Sequence, residues 1–473
     1  MKDYTFTNKI FGISEFVFKI CFLAYGLATF NSFFAHTKII SALLFLTTAS
    51  AGITLIYRLI NIRYFIHSKM FWLSLAFMVS YIISFFINIR YANINGIKTL
   101  AFMGMEFFLL LATDERKKFD KYKSEIKIIL GIFFFYMMAA VIVSIILMFC
   151  GYSNIAVRNG QTILSGFVWG RLWGVFTDPN YASVLSDMAI IISLYAIKKY
   201  KKPIWRAICI INIILQTLYI AFSDSRTGLV VAFAALAIYS YLRLTEVNLH
   251  IRKFLKNLLC ICSAIFIGVF GVLTVKSVNN VYNTVISSIA ENEPDEQSEE
   301  TFEKYKVGRE KDIEQDISNR RFDLWLSALE TVKLKPIFGV SFESVVSFAK
   351  ENLPKTYLIN NDHGIFNNYH NLLFNVLVGQ GIIGLIILLI MIIYAGIHLI
   401  KTVYRSFGTE DYSLCSMIFT LLVVALASAM FVSEIIYAIS ANMMLFWYLL
   451  GIMLKKSGEC SNNDENQCNS PGI

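Results

Sequence analysis

Charge is what this sequence has least of. Only 16% of its residues are Asp, Glu, Lys or Arg, while 56% are hydrophobic, and mean hydropathy is +0.60. A water-soluble chain of this length carries about 25% charged residues, so a soluble globular protein is excluded. The eight cysteines have neither disulfide nor metal spacing. Cys260 and Cys262 are two apart within an apolar run, on different sides of a helix, and Cys21, Cys209 and Cys415 lie in or beside other such runs. With Cys460 and Cys468 in the tail, they read as apolar packing residues and tail thiols. A cleavable leader is also missing, because MKDYTFTNKIFGISEF is polar and has no small-residue cleavage site before the first apolar run. No internal repeat is evident.

What the chain does have is a series of apolar windows about 20 residues long. They predict an all-α polytopic membrane protein with about twelve transmembrane helices. The expected spans are 16–35, 39–57, 71–88, 97–113, 126–150, 181–197, 204–222, 228–243, 255–275, 371–400, 414–433 and 436–454. This divides the chain into spans 1–9 (1–275), a large external loop (276–370), spans 10–12 (371–456) and a disordered tail (457–473).

The formal net charge of +9 is an orientation signal. Lys and Arg collect in alternate connections: Arg58, Arg63 and Lys69; Arg116 to Lys123; Lys198 to Lys202; Arg243 to Lys256; Lys401 and Arg405; and finally Lys455 and Lys456. The positive-inside rule puts these connections and both termini in the cytoplasm. Nucleic acid is therefore not an expected partner.

Two outer connections are long. Residues 151–180 form a loop of aromatic, Gly and polar residues, and 276–370 carries most of the acidic residues. Its first half, ENEPDEQSEETFEKYKVGREKDIEQD, is polar and predicted to be mobile. Its second half contains an expected amphipathic helix near 319–333, with Phe322, Trp325, Leu326, Leu329 and Val332 on one face. Ser318 or Asn319 is placed to cap its start, and Pro336 with Gly339 closes it.

Four polar clusters fall on the outer side. GRLWGVFTDPNYASV places Arg171 ahead of Asp178, an apt N-cap, and Pro179, an apt first helical residue. SDSRTG puts Arg226 in the first turn of a span that Ser225 can cap. A cation there opposes the helix dipole unless an anion is present, either Asp224 or an external phosphate. Arg320 and Arg321 open the loop helix. NNYHNLLFNVLVGQGIIGLI sets His370 at the mouth of the tenth span, one of three outer histidines with His36 and His363. Its Gly379, Gly381 and Gly384 suggest close helix packing. Arginine never deprotonates and grips phosphate with a planar fork, so Arg171, Arg226 and Arg321 suit a diphosphate. No DxD-like acidic pair stands near these clusters, and no metal or other cofactor is expected.

In order, these segments resemble those of the O-antigen polymerase and O-antigen ligase superfamily. GRLWGVFTDPNYAS is similar to its R-x-x-G-x-F-x-x-P-N segment, SDSRTGLV to its S-R-x-G helix start, RFDLWLSALETVKLKPIFGV to its R-x-x-x-W…P-x-x-G loop, and YHNLLFNVLVGQGIIGL to its H-N-x-x-L…G-x-x-G-L segment. The resemblance covers roughly residues 170–385. It implies a GT-C-type, inverting, metal-independent glycosyltransferase in a bacterial inner (plasma) membrane, acting at the extracytoplasmic face on undecaprenyl-diphosphate-linked repeat units. It also implies membrane lipids, a chain-length regulator and a flippase as partners. Under it, Arg171, Arg226 and Arg321 (or its neighbour Arg320) hold the diphosphate, and His370 is either the base for the acceptor hydroxyl or a group that orients substrate. Asn180 and Asn371 position sugars or cap helices. A polymerase, making O-antigen or capsular polysaccharide, is favoured over a ligase that transfers polymer to lipid A core. A lipid-oligosaccharide flippase is the alternative of another class, opposed by the missing repeat and by polar residues gathered at one face rather than the midplane.

Overall fold

A computed structural model describes residues 6–158, 161–248, 251–291, 305–308, 320–362, 364–432 and 435–468. The helices are α1 (Phe6–Thr29), α2 (Lys38–Ile60), α3 (Lys69–Ile87), α4 (Ile94–Gly104, running into a π-helical turn Met105–Leu111), α5 (Phe119–Phe149), α6 (Pro179–Lys199), α7 (Pro203–Ser223), α8 (Arg226–Leu244) and α9 (Lys253–Ala290). They continue with α10 (Arg321–Leu334), α11 (Val345–Asn352), α12 (Leu372–Ser406), α13 (Tyr412–Val432) and α14 (Ala441–Cys468). Among the described residues, eleven helices are long and apolar enough to cross a membrane. The twelfth expected span is the start of α14, where Asn442, Lys455 and Lys456 dilute an apolar run that is nevertheless deeply buried at Met443, Met444, Leu445 and Trp447. The all-α polytopic reading stands.

Several expected boundaries move. α9 continues to Ala290, well past residue 275, because KSVNNVYNTVISSIA is helical without being apolar enough for a hydropathy window to register. α14 runs on to Cys468, through much of the expected tail. The first outer loop is a three-stranded antiparallel sheet, β1 (Ser153–Arg158), β2 (Gln161–Val168) and β3 (Arg171–Gly174), in the order β1-β2-β3. Strands this short, one of them fully buried over its second half, leave little period-two signal among the surrounding apolar residues. Ser318, Asn319, His363 and the acidic stretch 292–304 lie outside the described residues.

The main apolar cluster reaches across α1, α3, α5, α6, α13 and α14, and a second gathers Leu324, Val340, Phe348, Leu358 and Tyr369 around α10, α11 and the start of α12. α6 and α13 are the most enclosed of the eleven spans. At the end of the bundle away from the sheet, buried charges are paired, as low-dielectric surroundings require. Lys19 of α1 lies 2.8 Å from Glu15 and 2.5 Å from Glu125 of α5, and Arg58 of α2 reaches Glu15 at 3.1 Å.

The GQGIIG stretch works differently from the expected close packing of helices. Gly381 stands at φ 67°, ψ −165° inside α12 and breaks it into two helical halves. The loop after α10 docks its backbone into the break: Val340 N–H donates to Val378 O (2.9 Å), Ser341 N–H to Gly379 O (3.0 Å), and Ile382 N–H to Pro336 O (2.9 Å). A Cβ on Gly381 would lie 2.2 Å from Ile337 O, and one on Gly339, also at positive φ, 2.2 Å from Val378 O. Pro336, Gly339 and Gly381 are therefore one device, in which side chains are excluded so that two backbones can pair inside the protein. Gly381→Val is expected to destabilise the fold by roughly 2 kcal/mol or more. Thermal denaturation in detergent checks this, and an unchanged midpoint contradicts it.

Candidate functional site

Of the helices that begin at the sheet end of the bundle, four, α6, α8, α10 and α12, carry the predicted residues at their starts. At the start of α6, Asp178 is the N-cap, accepting from Asn180 N–H (2.7 Å) and Tyr181 N–H (3.4 Å), with Pro179 in the first turn. At the start of α8, Ser225 caps by accepting from Gly228 N–H at 3.0 Å. The two starts touch directly: Ser225 Oγ–H donates to Asn180 Oδ1 at 3.1 Å. Gly228 allows this, since a Cβ there would lie 2.6 Å from Ser183 Cβ on α6.

Arg171 is buried, with 7% of its surface exposed. From β3 its Nε–H donates to Ser223 O at the end of α7 (2.7 Å) and an Nη2–H donates to Asn180 Oδ1 (2.9 Å). Asn180 thus accepts from both Arg171 and Ser225, which makes it the hub joining sheet, α6 and α8. Trp173, two residues along β3, has a buried indole N–H with no hydrogen-bond partner among the described residues.

Arg226 occupies the first turn of α8 and is half-buried. Its neighbour Thr227 accepts from Arg321 Nη2–H at 3.2 Å, so Arg321 is the member of the Arg320–Arg321 pair that joins α10 to α8. The Arg321 guanidinium also lies 5.5 Å from the Phe431 ring at the end of α13. Arg320 holds the N-cap position in the left-handed region, φ 62°.

His370 precedes α12 in a left-handed conformation, φ 49°, a geometry that costs a non-glycine residue about 1–2 kcal/mol. Its surroundings impose it. His370 N–H donates to Asn368 Oδ1 (2.8 Å), Tyr369 N–H to Asn375 Oδ1 (2.9 Å), and the Trp325 indole of α10 to Tyr369 O (3.2 Å). Asn371 is the α12 N-cap, accepting from Leu373 N–H (2.9 Å) and Phe374 N–H (3.2 Å), while its own amide donates to Met430 O (3.1 Å). Burial holds the imidazole below its ordinary pKa; the Asp178 carboxylate opposes the shift and Arg321 adds to it. Burial thus favours the neutral imidazole, and His370 is close enough to the starts of α6 and α10 to feel both charges.

The expected apolar face of α10 is corrected. Leu324, Ser327, Ala328 and Thr331 are buried, whereas Phe322, Leu326 and Leu329 are exposed. Two apolar stripes compete on this helix. The Trp325 bond to Tyr369 O and the Thr331 hydroxyl 3.3 Å from Tyr369 Oη fix which one turns inward. Thr227 and Asn375 escaped sequence reading, Asn368 was read only as a neighbour of His370, and Trp325 only as part of an apolar face. Only the tryptophan carried a signal, and its apolar ring hid the donor.

Among the described residues, no three His, Cys, Asp or Glu side chains come together as metal ligands. What the site does offer is backbone N–H groups and dipole ends from four helices, guanidinium groups and one neutral imidazole, an arrangement suited to an anion beside a proton acceptor.

The family model described as O-antigen ligase matches residues 211–389. Residues 211–389 are similar to the O-antigen ligase family, a match that covers less than half of the chain. Members of this family are glycosyltransferase-like enzymes, polymerases or ligases. No curated protein matches the chain. The matched segment contains Arg226, Arg321, His370 and Asn371, while Arg171 and Asn180 lie upstream and are tied to it through Ser223 and Ser225.

Arg321→Ala is expected to raise the His370 pKa, by removing a repelling cation, and Asp178→Asn to lower it. A chemical-shift titration of labelled histidine, assigned with a His370→Gln variant, reads both. Shifts of the opposite sign contradict the arrangement.

Proposed function

We propose that the protein is a polysaccharide polymerase of the O-antigen or capsular type. In this reading it moves a growing glycan from undecaprenyl diphosphate to the terminal sugar of a second lipid-linked repeat unit on the extracytoplasmic face. What supports the reading is that Arg321 bonds Thr227, the neighbour of Arg226 in the first turn of α8, and acts electrostatically on His370, in a segment similar to a family whose members are glycosyltransferase-like.

The diphosphate sits against Arg226 and Arg321, with Arg171 fixing the scaffold behind them and adding its charge. The acceptor hydroxyl gives its proton to the neutral imidazole of His370, and its oxygen forms the new bond to C1 of the donor sugar. The C1–O bond to the lipid diphosphate breaks, and its electron pair stays on the phosphate oxygen. The guanidinium groups and helix N-termini stabilise the charge that develops there. Attack from the face opposite the leaving group inverts the anomeric centre. The charge neutralisation is done by fixed arginines, so the step is metal-independent.

The same site suits a ligase that delivers polymer to lipid A core, and the O-antigen ligase description of the matching family favours keeping this second reading. Deleting the gene in its host separates the two: single-repeat surface glycan marks a lost polymerase, and lipid-linked polymer left unattached marks a lost ligase. For the polymerase, purified protein in liposomes is expected to elongate lipid-linked repeats without energy input. His370→Ala and Arg226→Ala are each expected to lower the rate at least about 100-fold with membrane insertion intact. The acid limb of the wild-type pH profile is expected below the ordinary imidazole range, because base function is lost only as pH falls through the lowered His370 pKa. Elongation at the normal rate by both variants would refute the assignment of the site.

A further inference from the structure

The end of the bundle opposite this site contains a cleft of about 690 Å³ between α5, α6, α7 and α13. Its position follows from the helices: α6 starts at Pro179, where Asn180 accepts from Arg171, and ends at Lys199, while α13 begins at Tyr412 and ends at Val432, next to the Phe431 that faces Arg321. The residues that line the cleft are the last two turns of α6 and the beginning of α13, with the first halves of α5 and α7.

Two parts of its wall differ in chemistry. The deep part is apolar, formed by Leu130, Phe134, Ile192, Ala196, Ile208 and Met417. The rim carries Lys123, Lys127 and Lys199, with Tyr200 and Trp205 beside them. The Tyr200 and Trp205 rings lie 6.3 Å apart, and Lys127 Nζ sits 5.7 Å from the centre of the Tyr200 ring. Tyr, Trp and Lys at the mouth of an apolar cleft are the residues of a membrane–water interface. The acidic rim residue Asp411 is engaged by Lys123 (2.5 Å) and Lys456 (2.6 Å), and Glu410 is exposed. Lys127 and Lys199 are exposed and take part in no ion pair among the described residues.

The cleft wall includes one glycine. Gly131 lines it near the middle of α5, and a Cβ there would meet nothing within 4 Å. Glycine in a helix interior costs about 1 kcal/mol relative to alanine, and here no neighbour approaches closely enough to require it. The space beside it is open to something outside the protein.

We propose that this cleft binds an anionic phospholipid of the adjoining leaflet, an acyl chain lying along Gly131 and Phe134 and the phosphate meeting Lys127 and Lys199. Basic rims over apolar clefts between transmembrane helices are suited to acidic headgroups. The lipid is a structural ligand, separate from any substrate at the opposite end.

Native mass spectrometry of the purified, delipidated full chain tests this, with phosphatidylglycerol and phosphatidylcholine as probes. Phosphatidylglycerol is expected to be retained more strongly, by about fivefold for each contributing lysine. Lys127→Gln/Lys199→Gln is expected to remove the preference while still binding both lipids weakly. Gly131→Leu, which leaves the lysines in place and fills the cleft, is expected to lower retention of both lipids. Because the two variants act through different parts of the cleft, loss of one to misfolding leaves the other decisive. Equal retention of the two lipids by the wild type would overturn the proposal. So would phosphatidylglycerol retention that survives both substitutions, or its displacement by inorganic phosphate alone.

Discussion

The buried guanidinium of Arg171 is the joint on which this end of the molecule depends. A cation withdrawn from water has to be compensated in place, and Arg171 meets that demand by donating to Ser223 O and Asn180 Oδ1. Asn180 in turn accepts from Ser225, Ser225 caps α8, and Thr227 in that first turn accepts from Arg321. A single line of hydrogen bonds thus runs from the small sheet through α6 and α8 to α10. Breaking it would take acceptors away from a buried guanidinium, so the sheet, the caps and the loop helix are held in one arrangement.

A second constraint works from the other side. The break at Gly381 admits the backbone of the loop that follows α10, and the Trp325 indole bonds Tyr369 O. Together they anchor α10 against α12 and hold His370 in a conformation it would not adopt alone. Strain of this kind persists only where surrounding structure over-determines it. The arginines on α8 and α10 and the imidazole before α12 are therefore set by rigid elements, although two of them belong to the long connection between α9 and α12. In the proposed reaction, such pre-organisation would let arginines and helix dipoles stabilise developing negative charge without rearranging at the moment of reaction.

Much of this was legible in the sequence, for a physical reason. Apolar runs of bilayer length have few alternatives, so eleven spans and the neighbourhood of each polar cluster could be read directly. The N-caps Asp178 and Ser225 were legible because capping is local. What stayed hidden depends on partners distant in sequence. The inward face of α10 is decided by Tyr369, the role of Gly381 by the loop at 336–341, and Glu15, Lys19 and Arg58 are tolerable only as a set. The sheet at 153–174 and the extension of α9 went unread because neither departs strongly from its surroundings in hydropathy.

The account rests on the claim that Arg226 and Arg321 bind a lipid diphosphate. The affinity of undecaprenyl diphosphate for the purified protein, measured with rising salt, tests it most directly. The account predicts binding that weakens with salt and falls about 10-fold or more in each of Arg226→Gln and Arg321→Gln, as expected for loss of a charge-assisted hydrogen bond to phosphate. Affinities within about twofold of wild type in both variants, at matched salt, would contradict it.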